Sequence, residues 1–431
     1  MSAASGPTLL LERDAALPLV HGGVCTRSGS AEDPEDRLGL TRLCQRLMRR
    51  TAAGMAADEV DARIDRMGAA LGLDIGHGST ALSGTVLERS FHEYMQLFEQ
   101  ILTAPGFAED ELERLKRETL AELTEILDSD QQLVQRWFLR SLLAGHPYGR
   151  TVVGTQKTLA AITLADVREC YRRHFTRENL LFSFAGAVDA ERAERAARAI
   201  WQALPAGGGA PAAPPEPQEQ PGRRLLFVDK PERTQTQILI GGLGGHPSDP
   251  DYFPLMVANT VFGGTFTARL TQEVRAKRGW SYGAYSSLGY DRRRQAFSMW
   301  TFPKADDAAA CVALELQMLG DWWQAGITRE ELDWAKRYLT QSHAFSCDTA
   351  AKRVGLELDE LTSDLPRGHY ARFVAHIGDV TLEAANQAIQ RRISLQNLTI
   401  VVVGTHSAIG DDLRRAIPDL AEERVVPFDT E

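Results

Sequence analysis

The stretch Ile162–Gly186, "ITLADVRECYRRHFTRENLLFSFAG", returns in outline as Val380–Gly404, "VTLEAANQAIQRRISLQNLTIVVVG". Thr163/Thr381, Leu164/Leu382, Arg173/Arg391, Asn179/Asn397, Leu180/Leu398 and Gly186/Gly404 coincide at one constant spacing. A second pair repeats the finding in the same order. "PGFAEDELERLKRETL" from Pro105 aligns with "AGITREELDWAKRYLT" from Ala325, including Gly106/Gly326, Glu111/Glu331, Lys116/Lys336 and Arg117/Arg337. Two matches in the same order imply an internal duplication.

Between the copies lies "LPAGGGAPAAPPEPQEQPG", Leu204 to Gly222, in which Gly and Pro forbid a helix or strand interior. The sequence therefore divides into residues 1–204, a linker at 205–222, and residues 223–431. Within the first copy, "LPLVHGGVCTRSGS" is strand-like, and Leu40, Leu43, Cys44 and Leu47 recur at helical spacing. "LGLDIGHGSTALSGTVL" predicts a Gly-broken hairpin, "SFHEYMQLFEQILTAPGF" an amphipathic helix, and Glu109 to Leu127 a long charged helix. "NLLFSFAGAV" is the near-continuous apolar run of a sheet interior. The expected class is α+β: two homologous α/β sandwiches, each a mixed, largely antiparallel sheet packed by helices.

Bulk properties narrow the function. The 431 residues carry a net charge of −10 with no basic block, which argues against nucleic acid. No apolar run reaches the roughly 20 residues that span a bilayer. Met1 to Gly6 is followed by "PTLLLERD", with no charged n-region and no long apolar h-region, so a cytoplasmic chain is expected, with the periplasm as the alternative if a leader was removed. Cys25, Cys44, Cys170, Cys311 and Cys347 form no Cys-x-x-Cys pair and read as reduced, mostly buried thiols.

The order of elements resembles that of the pitrilysin/insulinase zinc metallopeptidases, the inverzincins. The stretches that carry the likeness are "SGSAEDPEDRLGLTRLCQRLM" (Ser28–Met48), "HPYGRTVVGTQKTL" (His146–Leu159) and "VFGGTFTARLTQEVRAKRGWSYGAYSS" (Val261–Ser287). The resemblance implies two duplicated domains closing like a clam around a peptide chamber. Active members bear His-x-x-Glu-His on the first helix. In that register this chain has Arg42, Gln45 and Arg46, so both imidazoles and the general base are missing. Guanidinium groups have no free lone pair and stay protonated, whereas zinc needs neutral imidazole, thiolate or carboxylate. The third ligand of the family corresponds to Glu122, or to Glu118 in the alternative register. One carboxylate cannot hold catalytic zinc, and a salt bridge from Arg42 or Arg46 to Glu122 is expected in its place. His92 in "HEYMQ", His77 in a Gly-rich hairpin and His146 in "GHPYG" lack properly spaced partners; His146 reads as a turn residue.

The family's second half carries an arginine and a tyrosine seven residues apart, matched here by Arg275 and Tyr282. The first suits the grip of a carbonyl or carboxylate. The second is a neutral donor for a tetrahedral oxyanion. Phe266, Leu270 and Val274 are spaced as one buried helix face, and Gly279 suits a helix end. Tyr282, Ala284 and Ser286 alternate as one strand face. Gly263 and Gly264 are placed where backbone can approach a substrate.

The resemblance thus implies the zinc-free subunit of a heterodimeric metalloendopeptidase. It binds no cofactor itself, and zinc is expected in a homologous His-x-x-Glu-His-bearing partner. The substrate is a peptide, and neither membrane nor nucleic acid is a partner. The alternative is a non-catalytic structural or peptide-binding scaffold subunit of a larger assembly.

Overall fold

The computed structural model describes residues 6–431, which form two compact units. The first comprises residues 6–123, 151–214 and 344–370. Its sheet contains β1 (Thr8–Arg13), β2 (Leu19–Thr26), β3 (Ala70–Ile75), β4 (Thr80–Leu87) and β5 (Leu180–Gly186), in the order β1-β5-β2-β4-β3. Only the β1–β5 pair is parallel. Strand alternation sends Phe184 and Ala185 to opposite faces. Phe184 meets Phe91 of helix Phe91–Thr103 edge to face, ring centroids 5.8 Å apart. Ala185 packs with Leu10, Ala350 and Val354, the last two on helix Ala350–Thr362. Arg353 of that helix also grips both oxygens of Glu12 on β1, Nε lying 2.9 and 3.0 Å away.

The second unit comprises residues 124–150, 215–343 and 371–431. Its strands are β6 (Arg223–Asp229), β7 (Gln237–Leu243), β8 (Ala284–Tyr290), β9 (Arg294–Thr301), β10 (Thr399–Gly404) and β11 (Leu420–Pro427). Their order is β11-β6-β10-β7-β9-β8. Without β11, this is the first sheet again, strand for strand, with the same single parallel pair, β6 with β10. β11 adds a parallel edge strand beside β6. One layer of the core is aromatic: Trp322 stacks on Phe262 at 4.4 Å and on Phe297 at 5.9 Å. Gly241 on β7 lies against the β9 backbone and Phe138 of helix Asp130–Leu142; a Cβ there would strike the Phe297 carbonyl and meet Ser298 Cα at 2.9 Å and the Phe138 ring at 3.0 Å.

The duplication is therefore structural as well as sequential. Thr163 and Thr381, matched in the repeat, each cap the helix that follows, accepting from the N–H groups of Asp166 and Ala384 at 3.2 and 3.1 Å. The two units follow the sequence halves for most of their length and exchange one segment each. Residues 124–150 of the first half complete the second unit, and residues 344–370 of the second half complete the first. Lys230 Nζ ties β6 to the first of these segments, donating to Asp130 Oδ1 at 2.7 Å and to the Leu127 carbonyl at 2.6 Å.

The Gly/Pro linker is fastened at Gly207 and at Pro215. Gly207 N–H donates to Glu178 at 2.7 Å. His146 accepts the Tyr148 N–H on Nδ1 at 3.1 Å, which leaves its Nε2–H to donate to the Pro215 carbonyl at 2.8 Å. His146 is a turn residue, as its "GHPYG" context predicts. Cys25, Cys44, Cys170 and Cys311 are buried free thiols and Cys347 is half-buried. No helix is long and apolar enough to cross a membrane among the described residues.

Two predictions follow from this packing. Protease nicking between residues 205 and 214 should leave two fragments that co-elute under native conditions, because each unit contains chain from both. Fragments that separate without denaturant would contradict the exchange. The second concerns Glu315, fully buried on helix Ala308–Ala325, with only Thr301 Oγ1 near one oxygen at 3.4 Å and no partner on the other. Burial pushes its carboxyl up to about 8. A raised acid pKa favours the folded state while the group is protonated, and that contribution is lost as pH climbs from about 4 through about 8. Glu315→Gln should match the parent at pH 5 and melt about 2 °C or more higher at pH 9. Equal melting at pH 9 would show that the carboxyl does not titrate in this way.

Candidate functional site

The first cluster forms where helix Leu40–Arg50 lies along helix Glu109–Asp128 in the first unit. Leu43, Cys44, Leu47 and Met48 are buried, so that face is committed to the core. Arg42, Arg46 and Arg50, at intervals of four, share another face. Glu118 and Glu122 are likewise four apart on the facing helix. Arg42 Nη2 reaches Glu122 Oε2 at 2.6 Å, and Arg46 Nη1 reaches Oε1 at 2.8 Å. Each oxygen of Glu122 is thus taken by a different guanidinium. Arg46 and Arg50 also reach Glu118 Oε2 at 3.2 and 2.9 Å. Thr119, wholly buried between the two glutamates, gives its proton to the Leu115 carbonyl at 2.8 Å. Its oxygen accepts from Arg46 at 3.3 Å and Arg42 at 3.5 Å.

Gln45 turns away from this ladder. It is buried and donates through Nε2 to Thr80 Oγ1 on β4. Thr80 meets Thr26 Oγ1 at 2.7 Å, and Thr26 donates onward to the Ser28 carbonyl at 3.0 Å. The chain of donors runs one way, so Thr80 must donate to Thr26 and accept from position 45. A carboxylate at position 45 has no proton to give it, which explains an amide there in purely local terms.

These residues do not fit zinc. Two cations hold the Glu122 carboxylate, and a dication would have to approach against their charge. Among the described residues, no group of three or more His, Cys, Asp or Glu side chains is placed to hold a metal ion.

The second cluster is in the second unit. A short α-turn from Arg269 widens into a π-type turn over Gln272–Lys277, a feature common at functional sites. The helix stops at Gly279, whose φ is +66°; Gly279 N–H donates to Arg275 O at 3.0 Å and Trp280 N–H to Val274 O at 3.1 Å. Leu270 and Val274 are fully buried. Arg275 emerges between them and the loop that follows, its Cζ 4.6 Å from the centre of the Tyr282 ring. The seven-residue spacing therefore brings the two side chains together. Glu273 is occupied by Lys277 and Arg278, while Arg275 Nη1 is buried with no hydrogen-bond partner. A guanidinium with an unpaired donor, held beside a phenol, is suited to a carbonyl or carboxylate oxygen.

Three expectations change here. Tyr282 does not share a strand face with Ala284 and Ser286: β8 begins at Ala284, and Tyr282 is 77% exposed in the preceding loop while the other two are buried. Buried Ser281 pins that loop, donating to Gly283 O at 2.6 Å and accepting from Phe302 N–H at 3.1 Å. Phe266 is no core residue; it is 57% exposed, because the helix starts only at Arg269. Gly263 and Gly264 serve the chain's own packing. A Cβ on Gly263 would strike Ser286 Oγ at 2.4 Å, and one on Gly264 would meet Thr260 Cα at 2.9 Å. Both N–H groups donate to Asn259 O, at 3.0 and 2.8 Å, so neither is offered to a substrate. His92 lies on helix Phe91–Thr103 and His77 in the β3–β4 turn.

Comparison with known proteins places these clusters in context. The profile described as "Insulinase (Peptidase family M16)" matches residues 8–156, and "Peptidase M16 inactive domain" matches residues 161–339. The "Non-peptidase homolog YmxG" of Helicobacter pylori is 20% identical over 92% of this chain and 91% of its own. An "Uncharacterized zinc protease" of Mycobacterium tuberculosis is 24% identical over 93% of this chain and 91% of its own. A "peptidase M16 inactive domain" solved from Pseudomonas fluorescens superposes with a TM-score of 0.86 at 26% identity, covering 94% of this chain and 97% of that one.

The ladder makes a direct prediction. Replacing both cations, Arg42→His with Arg46→His, leaves two imidazoles facing Glu122, the three-ligand set that zinc accepts. Calorimetric titration should show the double variant binding one zinc per chain and the parent none. Stoichiometric binding by the parent, abolished by Glu122→Ala, would overturn the assignment of these residues as a closed ion-pair network.

Proposed function

The chain belongs to the M16 (insulinase) peptidase family, and on that premise we propose that it is a non-catalytic member. It contributes a substrate grip to peptide hydrolysis whose metal chemistry belongs to a homologous subunit. The observation that carries this reading is the contrast between the two clusters. Where the family's metal motif falls, Arg42, Arg46 and Glu122 satisfy one another. Where its arginine and tyrosine fall, Arg275 keeps an unpaired donor beside an exposed Tyr282.

In this reading Arg275 holds a carbonyl of the bound peptide. The Tyr282 hydroxyl donates to the oxygen that becomes negative as the peptide carbonyl turns tetrahedral. Neither residue has to gain or lose a proton, so their contribution is positional and electrostatic. The partner is a homologous chain with intact His-x-x-Glu-His. The similarity to a protein named as a non-peptidase homolog, and to an inactive M16 domain, supports the absence of independent catalysis. The former also favours a second reading, in which the same grip serves a scaffold that holds peptides without cleaving them.

Mixing separates the two readings. The purified chain should not cleave a quenched fluorescent peptide, and addition of the zinc-bearing homologue should start cleavage. Tyr282→Phe in the mixture should cut kcat by about tenfold or more. If the homologue alone is fully active, the scaffold reading replaces this one.

A further inference from the structure

Phe266 stands 57% exposed beside the Arg275–Tyr282 pair. Its ring lies over the Arg275 guanidinium, Cζ 4.2 Å from the ring centre, so that Arg275 is held against two aromatic rings at once. This cation is oriented without a carboxylate: Glu273, in its own turn, is engaged by Lys277 and Arg278. Ring contacts of this kind hold a guanidinium by its flat faces and leave its rim N–H groups unused. The unpartnered Nη1 is such a group. Large exposed apolar surface beside a buried, unsatisfied donor is the composition of a recognition site: a polar group to fix orientation and apolar walls to select.

We infer that Phe266 is a third, specificity-determining member of this grip. It rests on the reading of Arg275 and Tyr282 as a substrate site. The Arg275 guanidinium takes a main-chain carbonyl, and the exposed surfaces of Phe266 and Tyr282 receive the neighbouring side chain, which is aromatic or large and aliphatic. The class of substrate is therefore a peptide with a bulky apolar residue at the gripped position.

The test is binding by the full chain of two labelled peptides, identical except for Phe or Gly at one central position, read by fluorescence anisotropy. The parent should bind the Phe peptide about fivefold or more tightly than the Gly peptide. Phe266→Ala should abolish this preference, weakening the Phe peptide about fivefold or more beyond any change for the Gly peptide, and Phe266→Trp should restore it. A merely structural role would lower both affinities together. Arg275→Ala should weaken both peptides, whatever the side chain. If Phe266→Ala retains the preference, the role given to Phe266 is wrong and the Arg275–Tyr282 grip stands. If Arg275→Ala binds both peptides like the parent, or the parent binds neither, the grip itself falls. Since Phe266 is exposed, unchanged thermal melting of its variants identifies any loss as local.

Discussion

Glu122 is claimed by two guanidiniums, one on each oxygen, and the chemistry of the first unit depends on that arrangement. A carboxylate in this state has its negative charge shared by two fixed cations, which would repel an approaching metal dication. To bind one, the site would have to release Arg42 and Arg46 and bring a dication up to two remaining positive charges. The network extends in both directions, through Arg46 and Arg50 to Glu118, and through Thr119, which accepts from two of the arginines. Each ion pair is partly exposed and contributes modestly by itself. Their joint effect is geometric: they fix the register of two helices along a face that the core does not cover.

Arg275 shows the opposite use of the same side chain. Its charge is balanced by no carboxylate in its own turn, and its orientation comes from rings. The π-type turn, the αL glycine that ends it and the Ser281-pinned loop together place Arg275 and Tyr282 side by side. Arg42 and Arg46 are held by carboxylates, whereas Arg275 is held by aromatic rings and keeps a buried donor without a partner.

Much of this was legible in the sequence. The duplication, the α+β class, the hairpin and the long charged helix follow from spacing and periodicity, which are local. Arg42 and Arg46 could be set on one face because helical intervals of four are reliable, but only the resemblance to the family, whose third metal ligand Glu122 matches, brought that carboxylate to them. What could not be read depends on long-range packing. The four-residue rhythm placed Phe266 in the core, and only the actual helix start at Arg269 takes it out. The pair Gly263–Gly264 looked like room for a ligand, whereas the space is filled by β8 and by helix Tyr252–Phe262. Gln45 turns toward Thr80 for a partner distant in sequence. Nor does any local signal say that helix Asp130–Leu142 and helix Ala350–Thr362 each join the sheet of the opposite half.

That exchange has a bearing on how the protein is made. The first sheet has all five strands once residue 186 has been synthesised, yet the helix that covers β1 and Ala185 ends at Thr362. At about 5–20 residues per second, the ribosome needs roughly 10–35 s to supply it. During that interval Leu10 and its neighbours lack their cover. The nascent chain therefore carries an exposed apolar face until late in translation, and a chaperone that shields such faces has a defined window in which to act.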